Sequence, residues 1–350
     1  MQKKILKQVV GIDVAQKELV IQLGRVNEDL STQLYASNTL PNTARGFHML
    51  IKWVQKLTDR SVPVRFVMEA TGVYHESLAY FLEGAGHQVS IVLPNKISNY
   101  IRTLDQKTIT DASCADAICR FGLERSLDIW KRPKPIFKRL RQLTRERDQI
   151  ITTRTVAKNQ LHAEQSEAEP NEGTIKRTND QIVLFNKQLD QIQNEITEMI
   201  KKEPSVKAII DLITSIPGIG VLTAVTILAE TNGFELIRNK KQLVSYAGLD
   251  VKEKQSGTSV KGKPHISKRG NRYLRKSLYM PALSAIRSNQ RFKDNFTRLV
   301  SRHGIKMKAG VAIQRKLLEI VYAVYKTNTK YDPNFLKQNE STEKNHLQSI

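Results

Sequence analysis

The sequence predicts a mixed α/β domain followed by a long helical arm and a mainly α C-terminal domain. Three observations carry that prediction. Three strand-like segments precede alternating helix- and strand-like ones; residues 137–202 are long, charged and helix-periodic; and most of the positive charge lies behind them.

Residues 8–23, QVVGIDVAQKELVIQL, read as two short strands around a tight polar turn, and STQLYASN at 31–38 as a third. A helix is expected over 42–57, where Asn42 can cap and Phe47, Leu50, Ile51 and Val54 form one apolar stripe. VRFVMEA at 64–70 reads as a buried strand, VYHESLAYFLEGAG at 73–86 as a helix ending in glycines, and QVSIVLP at 88–94 as another strand. A further helix begins near Thr110. Three meandering strands followed by alternating elements imply a mixed sheet with helices packed on it.

Two long helical segments, 137–167 and 179–202, flank the turn-like EPNEGT, which predicts an antiparallel helical hairpin or coiled coil. Imperfect heptads keep two ordinary bundle helices open as the alternative. The IPGIG turn within LITSIPGIGVLTAVTILAE (212–230) resembles a helix-hairpin-helix, in which Gly218 and Gly220 let backbone N–H groups approach a phosphate. A plain corner between core helices is the competing reading. Helices continue to about 328, and the polar residues behind them read as a disordered tail.

A chain of 350 residues can bury more than one core. Its net charge of +22 and pI near 9.9 call for an acidic polymer as partner, nucleic acid first. Residues 1–130 carry 15 Lys and Arg against 13 Asp and Glu, whereas 238–330 carry 23 basic residues opposed only by Asp250, Glu253, Asp294 and Glu319. Two cysteines, Cys114 and Cys119, cannot build a disulfide framework or a four-ligand zinc site. With no signal-peptide pattern and no apolar run of membrane-spanning length, a soluble protein in a reducing cytoplasm is expected, without a membrane partner.

Asp13 interrupts VVGIDV, where burial favours an apolar residue, and Glu69 does the same at the end of VRFVMEA. A carboxylate in such a place costs several kcal/mol, on the order of what a partner or metal must return. Asp105, Asp111 and Asp116 follow in LDQKTITDASCADAICRFG. Two-metal phosphoryl transfer needs several carboxylates from separate segments converging on divalent cations, and these acids could meet that need. Farther on, KEKQSGTSVKGKPHISKRG (252–270) sets Ser256 beside a glycine and follows it with Lys261, Lys263, Lys268 and Arg269, with Arg272 and Arg275 behind them. A solvated loop is the plain reading; a phosphate-binding segment whose affinity falls with salt is the functional one.

GIDV, VMEATGVYHESLAYFLEGAGHQVSIVLP, KTITDASCADA, IPGIG and SGTSVKGKPHISKRGNRYLRKSLYMPA, in this order, resemble the insertion sequence 110 family of transposases over about 9–330. The resemblance implies a RuvC-like, RNase H-like fold over 1–130, a helical hairpin or coiled coil over 131–205, a C-terminal transposase domain over 206–330 and a disordered tail over 331–350. It implies an Asp-Glu-Asp-Asp site holding Mg2+, with Mn2+ as alternative, onto which Asp13 and Glu69 map. The family's last pair is two aspartates three residues apart. Here Ser113 stands three before Asp116 and Asp111 five before it; Asp111 is the first choice and Asp116 the next, giving a metal site of Asp13, Glu69, Asp111 and Asp116, with Asp105 as the outside alternative. Ser256 matches the serine that the family implies as nucleophile towards DNA phosphate. Donor and target DNA, a structured noncoding bridge RNA and a homodimer or homotetramer are implied as partners, with sites split between domains. Two rivals remain: a RuvC-like Holliday-junction nuclease that forms no covalent intermediate, and an inactive nucleic-acid-binding relic.

Overall fold

The computed structural model describes residues 4–70, 72–104, 108–235, 237–253, 255–256, 260–262 and 264–333, so Asp105 and Lys263 lie outside the described residues. It divides into two compact units, Met1–Arg132 and Pro133–Ile350.

The first unit begins with three long antiparallel strands, β1 (Ile5–Val14), β2 (Glu18–Asn27) and β3 (Thr32–Pro41). Helix α1 (Ala44–Leu57) follows. Its N-cap is Thr43, whose hydroxyl accepts from the Gly46 amide at 3.3 Å. The expected cap, Asn42, instead donates its side-chain amide to the Ala15 and Tyr74 carbonyls, tying two loops together. Strand β4 (Val64–Glu69), helix α2 (Glu76–Gly84), strand β5 (Gln88–Val92), α3 (Pro94–Ile101) and α4 (Asp111–Glu124) complete the unit. The sheet order is β3-β2-β1-β4-β5, with β4 parallel to β1 and β5 parallel to β4.

Strand alternation sorts the side chains between two faces. Val10, Ile12 and Val14 of β1, with Phe66 and Met68 of β4, share a buried cluster with Phe47, Leu50 and Leu82 of α1 and α2. Val9 and Val67 face the other way, packing with Ile97, Ile118, Cys119 and Leu123 of α3 and α4. Each fully buried residue of this kind stabilises the fold by roughly 1.5–3 kcal/mol.

Helix α4 lies almost main chain to main chain on β1. A Cβ placed on Gly11 would stand 2.4 Å from the Cys119 nitrogen and 2.6 Å from the Ala115 carbonyl oxygen. Farther along, the Lys7 ammonium donates to the Leu123 and Arg125 carbonyls at 2.8 and 3.1 Å, a cation on the C-terminal end of α4. The helix therefore runs antiparallel to β1, and its N-terminus comes to the end of the sheet where β1 and β4 finish.

The second unit opens with α5 (Pro135–Gln165) and α6 (Glu172–Lys202). Arg139 pairs with Glu195 at 2.8 Å, Arg154 donates to the Asn186 side chain at 2.7 Å, and the Asn171 amide donates to Glu164 at 2.8 Å. That descending register makes α5 and α6 an antiparallel hairpin. Its base shares one core with the helices that follow, Leu140, Ile196 and Ile200 packing in the cluster that holds Ile213, Leu228, Leu274 and Leu318. Those helices are α7 (Pro204–Thr214), α8 (Val221–Glu230) and α9 (Lys240–Tyr246). The short strands β6 (Val251–Lys252), β7 (Gln255–Ser256), β8 (Val260–Lys261) and β9 (His265–Ile266) come next. Helices α10 (Arg272–Ser277), α11 (Tyr279–Ser288), α12 (Gln290–His303) and α13 (Lys306–Thr327) close the described chain. Where a loop is the plain reading of the sequence, β7 pairs with β8 and β6 with β9, two small antiparallel ribbons.

Candidate active site and nucleic-acid segment

Alternation along β1 puts Asp13 on the same face as Val9 and Gly11, and alternation along β4 puts Glu69 on the face of Val67. The parallel register Ile12 to Met68 leaves these two acids at neighbouring strand ends, both on the α4 side. Asp111 reaches the same region as the first residue of α4. The helix starts there because Thr110 and Ser113 form a reciprocal capping box: the Ser113 amide donates to the Thr110 hydroxyl at 3.2 Å, and the Thr110 amide to the Ser113 hydroxyl at 2.8 Å. Ser113 is thus spent on the cap.

Two of the acids act on the third. Burial, then the negative charges of Asp111 and Glu69, push the Asp13 carboxyl up from 3.8 to about 6, against the Val14 backbone amide. Asp116 departs from expectation. Its carboxyl is raised by burial, and the charge that acts on it is Arg120, not the other acids. The reason is the helix: Asp116 is five residues beyond Asp111, about 140° around an α-helix, which turns it off the face that carries Asp111. Sequence reasoning passed over a side chain on which all three charges act. Cys114, three residues after Asp111 and half-buried, has its thiol raised by burial and by Asp13, Glu69 and Asp111. Its signal was the three-residue spacing counted forward from Asp111.

In donor chemistry the set suits a divalent cation: carboxylates from two strand ends and a helix N-terminus, whose mutual repulsion a cation would relieve. Among the described residues, no three acidic, histidine or cysteine side chains already close around a single point.

A carboxyl held above its ordinary 3.8 binds a proton more readily in the folded than in the unfolded chain, so its contribution to stability is lost as pH rises through about 6. Asp13→Asn is expected to raise the midpoint of thermal unfolding at pH 8 in chelator and to flatten its dependence between 3.8 and about 6. Identical pH slopes in the two proteins would contradict this.

In the second unit the basic segment is anchored by a buried acid. Glu230, at the end of α8, is 2 % exposed and receives both Arg145 hydrogen bonds, 2.7 and 2.8 Å, together with the Asn271 side-chain amide at 2.6 Å. Tyr246 donates its hydroxyl to the Glu230 carbonyl at 2.9 Å, and Arg145 lies over the Tyr273 ring at 4.6 Å. Tyr246 is therefore a core residue. Removing Arg145 would leave a buried carboxylate with one neutral donor, so Arg145→Ala should cost about 3 kcal/mol in chemical denaturation, the lower end for breaking such a pair because the arginine is partly exposed. A loss below about 1 kcal/mol would mean that water replaces the guanidinium.

The predicted phosphate contacts divide. Lys268 and Arg269 are exposed, and Arg272 donates to the Tyr273 hydroxyl at 2.9 Å. Lys268, Arg272 and Lys276 line a cleft of about 950 Å3 with Asp148, Thr152 and Tyr273. Lys276 is paired with Asp148 at 2.5 Å. Arg275, expected to grip DNA, donates instead to the Ala247 carbonyl at 2.8 Å and finishes α9. The Asn271 amide likewise goes to the Tyr246 carbonyl at 2.7 Å, which removes it from any anion. Gly218, at φ +85°, is packed against α11, where a Cβ would stand 2.5 Å from the Pro281 carbonyl oxygen. That glycine serves a close helix corner, while Gly220, at the N-cap of α8, faces open space. Ser256 and Lys261 sit in the β7–β8 ribbon, where Ser256 is opposite Val260.

The strand order and the acids at the strand ends define an RNase H-like domain, joined in one chain to a mainly helical basic unit. A model described as "Transposase", of the DEDD IS110 type, matches residues 10–165, and one described as "Transposase IS116/IS110/IS902 family" matches 210–297. The chain belongs to the IS110 family of transposases. The pilin gene-inverting proteins of Moraxella bovis and Moraxella lacunata are each 29% identical over 328 residues, 93% of this chain and 98% of theirs. An uncharacterized 43.6 kDa protein of insertion element IS110 from Streptomyces coelicolor is 24% identical over 151 residues, 43% of this chain and 36% of that one. Among solved structures, T. thermophilus RuvC in complex with Holliday junction substrate is 12% identical and covers 35% of this chain and 99% of that one, at a TM-score of 0.26. No helix among the described residues is long and apolar enough to cross a membrane.

Proposed function

We propose that this transposase cuts and rejoins DNA strands through Ser256, with Asp13, Glu69 and Asp111 holding Mg2+ or Mn2+. The observation that carries the reading is that the carboxylates of Glu69 and Asp111, from the end of β4 and the start of α4, both act on Asp13 at the end of β1, in a chain of this family. A bound cation would supply charge neutralisation and Lewis acidity at a scissile phosphate. The chain's own residues do the rest. Asp13, Glu69 and Asp111, ionised as the cation's ligands, would fix its place at the ends of β1 and β4 and the start of α4. The Ser256 oxygen forms an ester bond to phosphorus as the bond to the leaving deoxyribose oxygen breaks, the serine proton passing to a base and the leaving oxygen gaining one. A strand hydroxyl reverses the step and rejoins DNA, so no external energy source is needed. Lys268, Arg269 and Arg272, with the open N-cap of α8 at Gly220, bind phosphates.

The relatives' name supports rejoining over simple cutting, since inverting a gene requires both ends to be cut and rejoined in the opposite sense. A guiding noncoding RNA and assembly as a dimer or tetramer follow from the family resemblance, and the strongly basic second unit could accommodate RNA beside DNA. The test is strand exchange between two DNAs carrying the element's ends, with purified protein, the flanking RNA and Mg2+. Joined hybrid strands are expected. Cut ends that are never exchanged would reduce the protein to a nuclease, and binding without cutting would make it a relic.

A further inference from the structure

Cys114 follows Asp111 by three residues, which puts both side chains on one face of the first turns of α4. The crossing of α4 over β1 fixes where that face lies. Ala115 and Cys119 rest on Gly11, and the Cys119 sulfur reaches the Val9 carbonyl at 3.6 Å. Followed back towards its N-terminus, the helix therefore advances along β1 from Val9 towards Asp13. Cys114 precedes the Gly11 contact on the helix, and Asp13 lies two residues beyond it on the strand. The thiol is half-buried, and the charges that reach it are those of Asp13, Glu69 and Asp111. A cysteine serving only as packing would sit like Cys119, fully buried against the sheet.

We propose that Cys114 supplies a sulfur donor to the divalent cation held by Asp13, Glu69 and Asp111, biasing the site towards thiophilic ions such as Mn2+, Co2+ and Cd2+ over Mg2+. The inference rests on the carboxylate reading above. On binding, the S–H proton leaves to solvent as the sulfur–metal bond forms, with no change of oxidation state. Three carboxylates disfavour a thiolate in the empty cluster, and a dication reverses that field. Sulfur against an all-oxygen set then decides which ion is preferred, because a thiolate favours softer cations and gives little to Mg2+.

The full-length protein is titrated with Cd2+, Co2+, Mn2+ and Mg2+ while the ultraviolet sulfur-to-metal charge-transfer band is followed, alongside protection of the thiol from iodoacetamide. Wild type and Cys119→Ser are expected to show the band and the protection. Cys114→Ser should lose both and bind Cd2+ at least about tenfold more weakly, the order that losing even an outer partner of a ligand costs. Its Mg2+ binding should stay at the wild-type level. Asp13→Asn separates the two layers of the argument. Mn2+ binding that depends on Asp13, without a band that depends on Cys114, overturns the sulfur donor and leaves the carboxylates standing. Cation binding that ignores Asp13 overturns both.

Discussion

Ser256→Ala is expected to abolish the covalent protein–DNA species and to lower strand exchange on the order of 10^4-fold or more, the scale of losing a nucleophile that acts as a unit with its activating groups. The substitution leaves the β7–β8 pairing of Ser256 with Val260 intact, because that pairing is made by backbone. Thermal unfolding should therefore match wild type, and loss of activity cannot be assigned to loss of fold. The measurement is a denaturing gel of protein, Mg2+, flanking RNA and nicked DNA carrying the element junction, with Ser259→Ala as the neighbouring control. A band of linked DNA that vanishes only in Ser256→Ala establishes the ester. Equal metal-dependent cleavage in all three proteins, with no linked band, means that water is the nucleophile.

Glu69→Gln should lower metal-dependent strand cleavage on the order of 10^3-fold or more, at or above the cost of removing one preorganised electrostatic contact. The amide keeps the size of the side chain while removing one of the two charges that act on Asp13. DNA retention at fixed salt should not change, because Lys268, Arg269 and Arg272 are untouched. Asp116→Asn is the informative contrast. Its carboxylate answers to Arg120 and not to the cluster, so cleavage should stay within about threefold of wild type, a surface-scale effect of about half a kcal/mol. Cleavage by Glu69→Gln at the wild-type rate would remove the carboxylates from the chemistry.

The strands and most helices of the first unit were legible because their burial follows simple periods. Asp13 and Glu69 stood out as charges in apolar runs, and they sit at the strand ends. Cys114 was hidden for a different reason. Counting back from Asp116 found Ser113, whereas Asp111 begins the helix and the count has to run forward to Cys114. Only the helix start, fixed by the Thr110–Ser113 box, settles the direction. The hairpin's heptads looked imperfect because half-buried arginines, Arg147 and Arg154, lie along α5 where aliphatic residues would have announced a seam. On α6 the buried Ile182, Leu189, Ile192 and Ile196 keep the spacing. Arg275 and Gly218 looked like phosphate contacts because their partners, the Ala247 carbonyl and α11, are distant in sequence.

The contact of α4 with Gly11 separates two properties that usually change together. Packing of the aliphatic residues sets how much free energy holds the first unit folded, but the reach from Asp111 to Asp13 is set by peptide groups meeting at Gly11. Drift among the surrounding valines and isoleucines can thus weaken the domain without detuning its chemistry. Position 11 is the converse: even one methyl group there would meet the main chain of α4 and act as a shim, moving the helix that carries Asp111 away from the strand that carries Asp13.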